Sequence, residues 1–116
     1  MTLTQKQYVF SVNVARLILW CNEHGYGVAL GEALRTPEQA AINAGKGIGI
    51  ANSLHMVSLA IDLKLFNGMT GSYLTRSEDY AGPGGHWKSL HNDNRWGGDF
   101  SKPDGDHFSM ENDGVQ

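Results

Sequence analysis

The sequence SLHMVSLAIDLKLF, residues 53–66, contains the most informative pattern of the chain. Its second half, Leu59 to Phe66, is apolar and partly alternating, which predicts a β-strand with one face on a hydrophobic core. This strand carries Asp62, and His55 precedes that aspartate by seven residues. The same segment therefore supplies both a central structural element and two polar side chains that can take part in chemistry.

A long helix is predicted before this strand. Thr4 and Gln7 form a capping-box pair at its start. Apolar side chains then recur at the spacing of one helical face, at Tyr8, Val12, Ala15 and Leu19. The dipeptide His24-Gly25 predicts its end, because glycine adopts the left-handed conformation of a helix terminus at little cost.

Shorter elements are predicted for the rest of the chain. A second helix opens at Thr36, with Pro37 at its first position and Gln39 completing a capping box, and it ends near Ala44. Glycines alternating with isoleucines predict an irregular loop over residues 45–52. The remaining predictions are strands at 28–30 and 107–110, a helix at 86–90, a loop at 92–106 and a frayed tail at 111–116.

Length, charge and hydropathy restrict the class of protein. The 116 residues suffice for one domain, residues 1–116, with its own core. No apolar run approaches the roughly 20 residues that cross a bilayer, and no secretory signal pattern begins the chain. The net charge of -3, without a basic stripe, argues against nucleic acid as a partner. We expect a monomer, made in the cytoplasm, without stable membrane association.

The lone cysteine is not a candidate nucleophile. Cys21 lies within an apolar helical stretch, where a small buried side chain is expected. A catalytic thiol would need a nearby base and partial exposure to solvent. The chemistry must therefore come from other residues.

Two histidines and one aspartate have the residue types of a catalytic zinc site. His55 and Asp62 are followed, 45 residues after the aspartate, by His107. A catalytic zinc takes three protein ligands, commonly imidazole nitrogen and carboxylate oxygen, and keeps a fourth position for water. Zinc lowers the pKa of such a water from 15.7 to roughly 7. By residue type alone, a zinc site and an ordinary polar network remain equally open.

A carboxylate must move the proton of the attacking water. Asp104 lies three residues before His107 in a glycine-containing turn and can reach the same cavity, so we predict that it is the general base. Asp106 is the rival. In an extended segment its side chain would point to the face opposite His107.

Several segments together resemble a known family. They are residues 53–63, 87–91, 94–100 and 104–108, and the likeness runs from about Gly25 to Met110, including GEALRT at 31–36. The chain resembles the D-alanyl-D-alanine carboxypeptidase and L-alanyl-D-glutamate endopeptidase family, in its phage endolysin branch. That family has Ser-x-His, an Asp seven residues later, and an acidic residue three before the second His; the matching positions are Ser53, His55, Asp62, Asp104 and His107.

The resemblance implies a fold and a metal site. The fold would be α+β, with a small antiparallel sheet flanked by helices, as in hedgehog and D-Ala-D-Ala peptidase domains. Zn2+ would be bound by His55, Asp62 and His107, and Asp104 would act as general acid and base. The substrate would be the peptide stem of bacterial peptidoglycan.

The resemblance also implies substrate contacts and a place of action. Arg35 would hold a substrate carboxylate or carbonyl with its fork of donors, and Ser53 would form a hydrogen bond to substrate. An endolysin would accumulate in the host bacterial cytoplasm and reach the wall once the inner membrane is opened. A cytoplasmic recycling enzyme fits equally well.

One position departs from the family's pattern. The family usually has glycine three residues after the first zinc histidine, and this chain has Ser58. If the backbone there needs a positive φ, the serine Cβ adds strain of roughly 1–3 kcal/mol and could shift His55.

Other functions remain open. The family also contains D-alanyl-D-alanine carboxypeptidases. Asp99, Asp104 and Asp106 could instead clamp a cation in a noncatalytic cell-wall-binding module, although the spacing of an EF-hand is missing. The sequence HNDN at 91–94 suggests a nuclease, which the acidic chain does not favour.

Ordinary roles compete for single residues. Arg35 could pair with Glu32 or Glu38 on the surface. Trp96, in a glycine-rich loop, could line the cleft and contact substrate or pack in the core. The histidines outside the matched positions are expected to be surface or capping groups: His24, His86 and His91.

Overall fold

The computed structural model describes residues 1–46 and 53–116. Within these ranges the chain forms three α-helices and four β-strands. In chain order they are α1 (Leu3–Glu23), β1 (Tyr26–Leu30), α2 (Pro37–Gly45), β2 (Ala60–Asn67), α3 (Ala81–Leu90), β3 (Asn94–Trp96) and β4 (His107–Met110). The predicted α+β class is confirmed, and the loop predicted at 45–52 lies outside the described residues from residue 47 onwards.

The strands form one antiparallel sheet in the order β1-β2-β4-β3. β2 is therefore central, as its apolar character predicts. Asp62 of β2 pairs directly with His107 of β4. Because paired residues of antiparallel strands project their side chains from the same face, this register alone brings two of the predicted zinc ligands together.

The hydrophobic core lies between the helices and the other face of the sheet. Trp87 of α3 is at its centre, where its ring meets Phe10 of α1 and Phe108 of β4 edge to face, with centroids 5.6 and 6.1 Å away. Its buried indole Nε1 donates to the main-chain oxygens of Arg95 and Ser109. Trp87 thus joins α3 to β3 and β4 through both apolar and polar contacts.

The helix α1 forms as predicted, but its cap and its buried face differ. Thr2 rather than Thr4 is the N-cap, and it exchanges capping-box hydrogen bonds with Gln5. The predicted apolar face points outward: Tyr8, Val12 and Leu19 are 67%, 50% and 62% exposed. The face that is buried consists of Phe10, Asn13, Leu17 and Cys21. Apolar side chains surround this helix, so their spacing does not select one face.

The helix α3 starts earlier than predicted. It begins at Ala81 and runs through Gly82, Pro83, Gly84 and Gly85, which are residue types of low helix propensity. Pro83 is in the first turn, where the missing N–H has no helical partner to lose. Gly84 lies against the Trp96 ring, where a Cβ would collide with the indole. These residues therefore serve a close helix–indole contact.

Two further predictions fail at the end of the chain. The predicted loop 92–106 contains β3, whose three residues are too few to show an alternating pattern. The tail, predicted to fray, folds back: Asn112 and Val115 exchange two main-chain hydrogen bonds of 3.0 and 2.9 Å. No helix in the described ranges is long and apolar enough to cross a bilayer.

Candidate metal centre

Three side chains from distant parts of the sequence meet on the polar face of the sheet. Asp62 Oδ1 lies 3.5 Å from His55 Nε2 and 3.7 Å from His107 Nδ1. One ligand-type atom from each residue lies within 4.8 Å of the other two. The structure thus brings together the three residues that the sequence predicts as metal ligands.

The central oxygen of this group is suited to a cation. Asp62 Oδ1 is buried and has no hydrogen-bond partner. Leaving a buried carboxylate oxygen unsatisfied is costly, and a bound cation removes that cost. Ligand atoms about 2.1 Å from a tetrahedral zinc are roughly 3.4 Å apart. This value is close to the two distances from Asp62 Oδ1 to the histidine nitrogens. The donor set of two imidazoles and one carboxylate therefore fits zinc.

The far side of each imidazole is held by a main-chain oxygen. His55 Nδ1 lies 3.2 Å from the oxygen of Ala33, and His107 Nε2 lies 3.3 Å from that of Gln116. An imidazole that donates from one nitrogen presents the lone pair of the other. These contacts leave Nε2 of His55 and Nδ1 of His107 facing Asp62.

The electrostatics of the group favour positive charge. Burial acts to raise the pKa of Asp62, but the imidazoles of His107 and His55 outweigh it and hold that pKa far below its usual range. Burial acts to lower the pKa of His55, but Asp62, the Ala33 carbonyl and Glu32 raise it overall. An ionised carboxylate between two imidazoles attracts a proton or, in competition with it, a metal ion.

Two serines shape the turn that presents His55. Ser53 caps the 3₁₀ turn Leu54–Val57, and its Oγ accepts a hydrogen bond of 3.2 Å from the His55 main-chain N–H. Ser58 ends this turn in the left-handed region, with φ 54° and ψ 41°. Ser58 therefore has the positive φ at which a Cβ adds backbone strain. A contact between Ser53 and substrate stays a prediction.

Asp104 lies three residues before His107, on the wall of a cavity. This cavity of about 220 Å³ is also lined by Arg76, Ser77 and Asp106. The Asp104 side chain reaches solvent, yet desolvation by surrounding atoms and the Asp106 carboxyl raise its pKa to about 6. The charge of His107 acts to lower this pKa and the charge of Asp62 acts to raise it. A pKa near neutrality suits a group that both takes and returns a proton.

A glycine allows the Asp104 backbone to lie close to His107. The Asp104 main-chain N–H donates to the oxygen of Gly97 over 2.9 Å. A Cβ on Gly97 would come within 2.9 Å of the His107 Cβ and would also overlap the Asp104 main-chain oxygen. Only a residue without a side chain fits between the predicted base and the predicted ligand.

The rival carboxylate has another partner. Asp106 forms an ion pair with Lys64 of β2. The Asp106 main-chain oxygen also accepts from Leu63 N–H, at 2.9 Å, so the residue is tied to β2 at two points. This pairing favours Asp104 over Asp106 as the base.

Arg35 lies next to the site but pairs with Glu32. Its Nε donates to Glu32 Oε1 at 2.7 Å, and the same oxygen is 3.6 Å from His55 Nδ1. Its main-chain N–H donates to the His55 oxygen over 2.9 Å. The ordinary role of Arg35 is therefore present in the structure, and a substrate contact stays a prediction.

Trp96 lies in the core. Its side chain packs against Gly84 and Gly98, and only 8% of the residue is exposed. The indole N–H donates to the Gly105 oxygen over 2.8 Å. The structure corrects the expectation that Trp96 lines the cleft, because its ring is already covered by glycines on α3 and on its own loop.

The residues behind the alternative functions have structural partners. Asp99 pairs with Lys88, away from Asp106 and its partner Lys64. Within residues 1–46 and 53–116, no group of three aspartates converges as a cation clamp would. His91 Nδ1 accepts from the Asp93 main-chain N–H, a turn contact rather than an exposed catalytic group.

Three residues that contribute to the site are not predicted by any pattern in the sequence. Glu32 and Lys64 act through ion pairs formed across the fold, although Glu32 is visible in the GEALRT stretch. Gln116 contributes a main-chain oxygen, which side-chain identity cannot reveal. Among the extra histidines, His24 is a cap, as predicted: it follows α1 and its Nδ1 contacts the Trp20 oxygen.

Comparisons with known proteins establish the fold. The sequence matches no family model and no curated protein. The structure is similar to the crystal structure of the L-Ala D-Glu endopeptidase ChiX from Serratia marcescens, with a TM-score of 0.69 and 17% sequence identity. The match covers 93% of this chain and 85% of that chain. The chain therefore has the fold of that endopeptidase, as its sequence resemblance implies.

Proposed function

We propose that the protein is a zinc-dependent peptidase that cleaves the peptide stems of bacterial peptidoglycan, at the L-alanyl-D-glutamate bond. The observation that carries the proposal is the convergence of His55, Asp62 and His107 around an unsatisfied carboxylate oxygen. It occurs in a fold shared with an L-Ala D-Glu endopeptidase.

Each polar group of the site has a distinct task in this hydrolysis. Zinc, when bound by the three ligands, supplies Lewis acidity that activates water and polarises a carbonyl. Asp104 takes the proton of the attacking water and delivers it to the departing amine. Its raised pKa of about 6 keeps both steps close to balanced at neutral pH.

Arg35 orients the substrate in this proposal. A guanidinium has five N–H donors, and Glu32 engages Nε and Nη2 from one side. The side chain is 12% exposed, so the remaining donors face a partly desolvated space, where a hydrogen bond to a carboxylate is strengthened. Ser53 is buried at the turn that presents His55, so its hydroxyl could form a hydrogen bond only with a substrate group in direct contact with it.

We further propose that the protein is a phage endolysin. In that role it accumulates in the host bacterial cytoplasm and reaches peptidoglycan after the inner membrane opens. The phage branch of the resemblance supports this role.

Mass spectrometry of digested peptidoglycan tests the activity. Zinc-loaded protein should release stems that begin at D-glutamate and leave L-alanine on the glycan. His107→Ala should release none, whereas the matched variant His91→Ala should behave as wild type. Loss of a single D-alanine would instead indicate a carboxypeptidase. Intact stems on sacculi that retain the protein would indicate a binding module.

A further inference from the structure

The tail of the chain contacts the far side of a predicted metal ligand. His107 Nε2 lies 3.3 Å from the main-chain oxygen of Gln116. Ser109 Oγ donates to the same oxygen over 3.2 Å. His107 and Ser109 are two residues apart on β4, so both project from the polar face and converge on one acceptor.

A defined turn places that oxygen. Residues 111–116, here called the clasp, reverse direction through Asp113 and Gly114, whose φ values are 50° and 80°. Two main-chain hydrogen bonds between Asn112 and Val115 close the turn. Glu111 Oε1 accepts from the Gly114 N–H over 2.6 Å, and Val115 packs against the core. Two left-handed residues and an apolar anchor give the clasp a specific conformation.

The clasp is also fixed to the first helix. Lys6 Nζ of α1 lies 3.3 Å from the main-chain oxygen of Glu111 and 3.2 Å from Asn112 Oδ1. These contacts join the two ends of the described chain. The position of the Gln116 oxygen is thus set by α1, by the core and by β4 together.

This geometry sets the orientation of the His107 ring. The Gln116 oxygen lies on the Nε2 side of the imidazole. Nδ1 consequently faces Asp62 Oδ1, at 3.7 Å. A hydrogen bond to one ring nitrogen of a ligating histidine holds the ring so that the other nitrogen can reach the metal.

We propose that the clasp is a positioning element for His107. Its Gln116 oxygen contacts the Nε2 side of the ring and fixes the ring so that Nδ1 can bind the metal. The proposal rests on the metal site of the proposed function. Loss of such an outer contact typically lowers metal affinity by about 10–100-fold.

Deletion of residues 115–116 tests the clasp, with Gln116→Ala as the matched control because it keeps the main-chain oxygen. Imidazole 15N chemical shifts of the zinc-loaded protein report which nitrogen of His107 binds the metal, and competition with a chelator reports zinc affinity. The deletion should weaken the preference for Nδ1 and lower zinc affinity by about 10–100-fold. Gln116→Ala should change neither.

If the deletion impairs folding, Glu111→Ala loosens the same turn at a side chain outside the core. It should weaken the preference for Nδ1 and lower zinc affinity, by smaller amounts than the deletion. Unchanged shifts and affinity in a folded clasp variant overturn the proposal. Zinc binding by wild type without cleavage of peptidoglycan would reject the proposed function and leave the clasp result intact.

Discussion

The two faces of β2 differ in what they bury. On one face, Ile61, Leu63 and Leu65 join a single apolar cluster with side chains of α1. On the other face, Asp62 and Lys64 are half-buried beside His107 and Asp106. Side chains alternate along a strand, so one segment supplies both stability and chemistry without mixing them. Substitutions on the two faces should therefore have separable effects.

The largest effect is expected from Asp62→Ala. It removes the central ligand and should lower zinc affinity by more than about 100-fold, the upper cost of losing an outer contact. Peptidoglycan cleavage should fall to that of metal-free protein, while circular dichroism shows a folded chain. The control Asp99→Ala removes an exposed partner of Lys88 and should change neither quantity. Unfolding of Asp62→Ala would contradict the separation of the two faces.

Asp104→Asn should separate catalysis from metal binding. Loss of a general acid–base group lowers kcat by about 10²–10⁴-fold. Zinc affinity should stay within a few-fold, because the ligands are untouched. Steady-state kinetics with a soluble muropeptide measure the first quantity and chelator competition the second. Wild-type kcat in this variant would refute the assignment, and Asp99→Asn serves as the charge-matched control.

On the apolar face, Leu63→Ala should act on folding. Leu63 is fully buried, and such a truncation typically costs about 2–5 kcal/mol of the free energy of unfolding. Urea unfolding measures this loss, and zinc affinity per folded molecule should be unchanged. A large loss of zinc affinity without loss of stability would show that the two faces are coupled.

The pKa of Asp104 gives a pH-dependent test of the polar face. In the metal-free protein its 13C carboxyl signal should titrate with a midpoint of about 6. Because this pKa is raised, the contribution of Asp104 to stability is present below its unfolded value of 3.8 and is lost as pH rises to about 6. Asp106→Asn should lower the midpoint, since the Asp106 carboxyl raises it. A midpoint near 4 in the wild type would argue against this environment.

The smallest effect is expected at the turn before β2. Ser58→Gly should raise the free energy of unfolding by about 0.5–1 kcal/mol, because relief of left-handed strain exceeds the entropy that glycine adds to the unfolded chain. Ser58→Ala keeps a Cβ and should give no gain. Thermal unfolding of both variants checks the difference, and equal stability would show that Ser58 is unstrained.

The sequence predicts the parts of the molecule that depend on local pattern or on the family resemblance. β2, α1 and α2 follow from periodicity and caps, whereas α3 begins five residues before its predicted start at residue 86. Residues 55, 62 and 107 converge as the resemblance implies. The buried face of α1 is missed because Tyr8, Val12 and Leu19 are as apolar as the residues that pack inside. The Gln116 contact is missed because a main-chain oxygen leaves no trace in side-chain identity.

Anomalous scattering from a zinc-soaked crystal can show whether His55, Asp62 and His107 share one metal ion. A single zinc peak should lie about 2.0–2.2 Å from His55 Nε2, Asp62 Oδ1 and His107 Nδ1. Density for one zinc at that point, absent in Asp62→Ala, is the predicted result. Zinc bound elsewhere at saturating concentration, with these three side chains in unchanged positions, would refute the proposed metal centre.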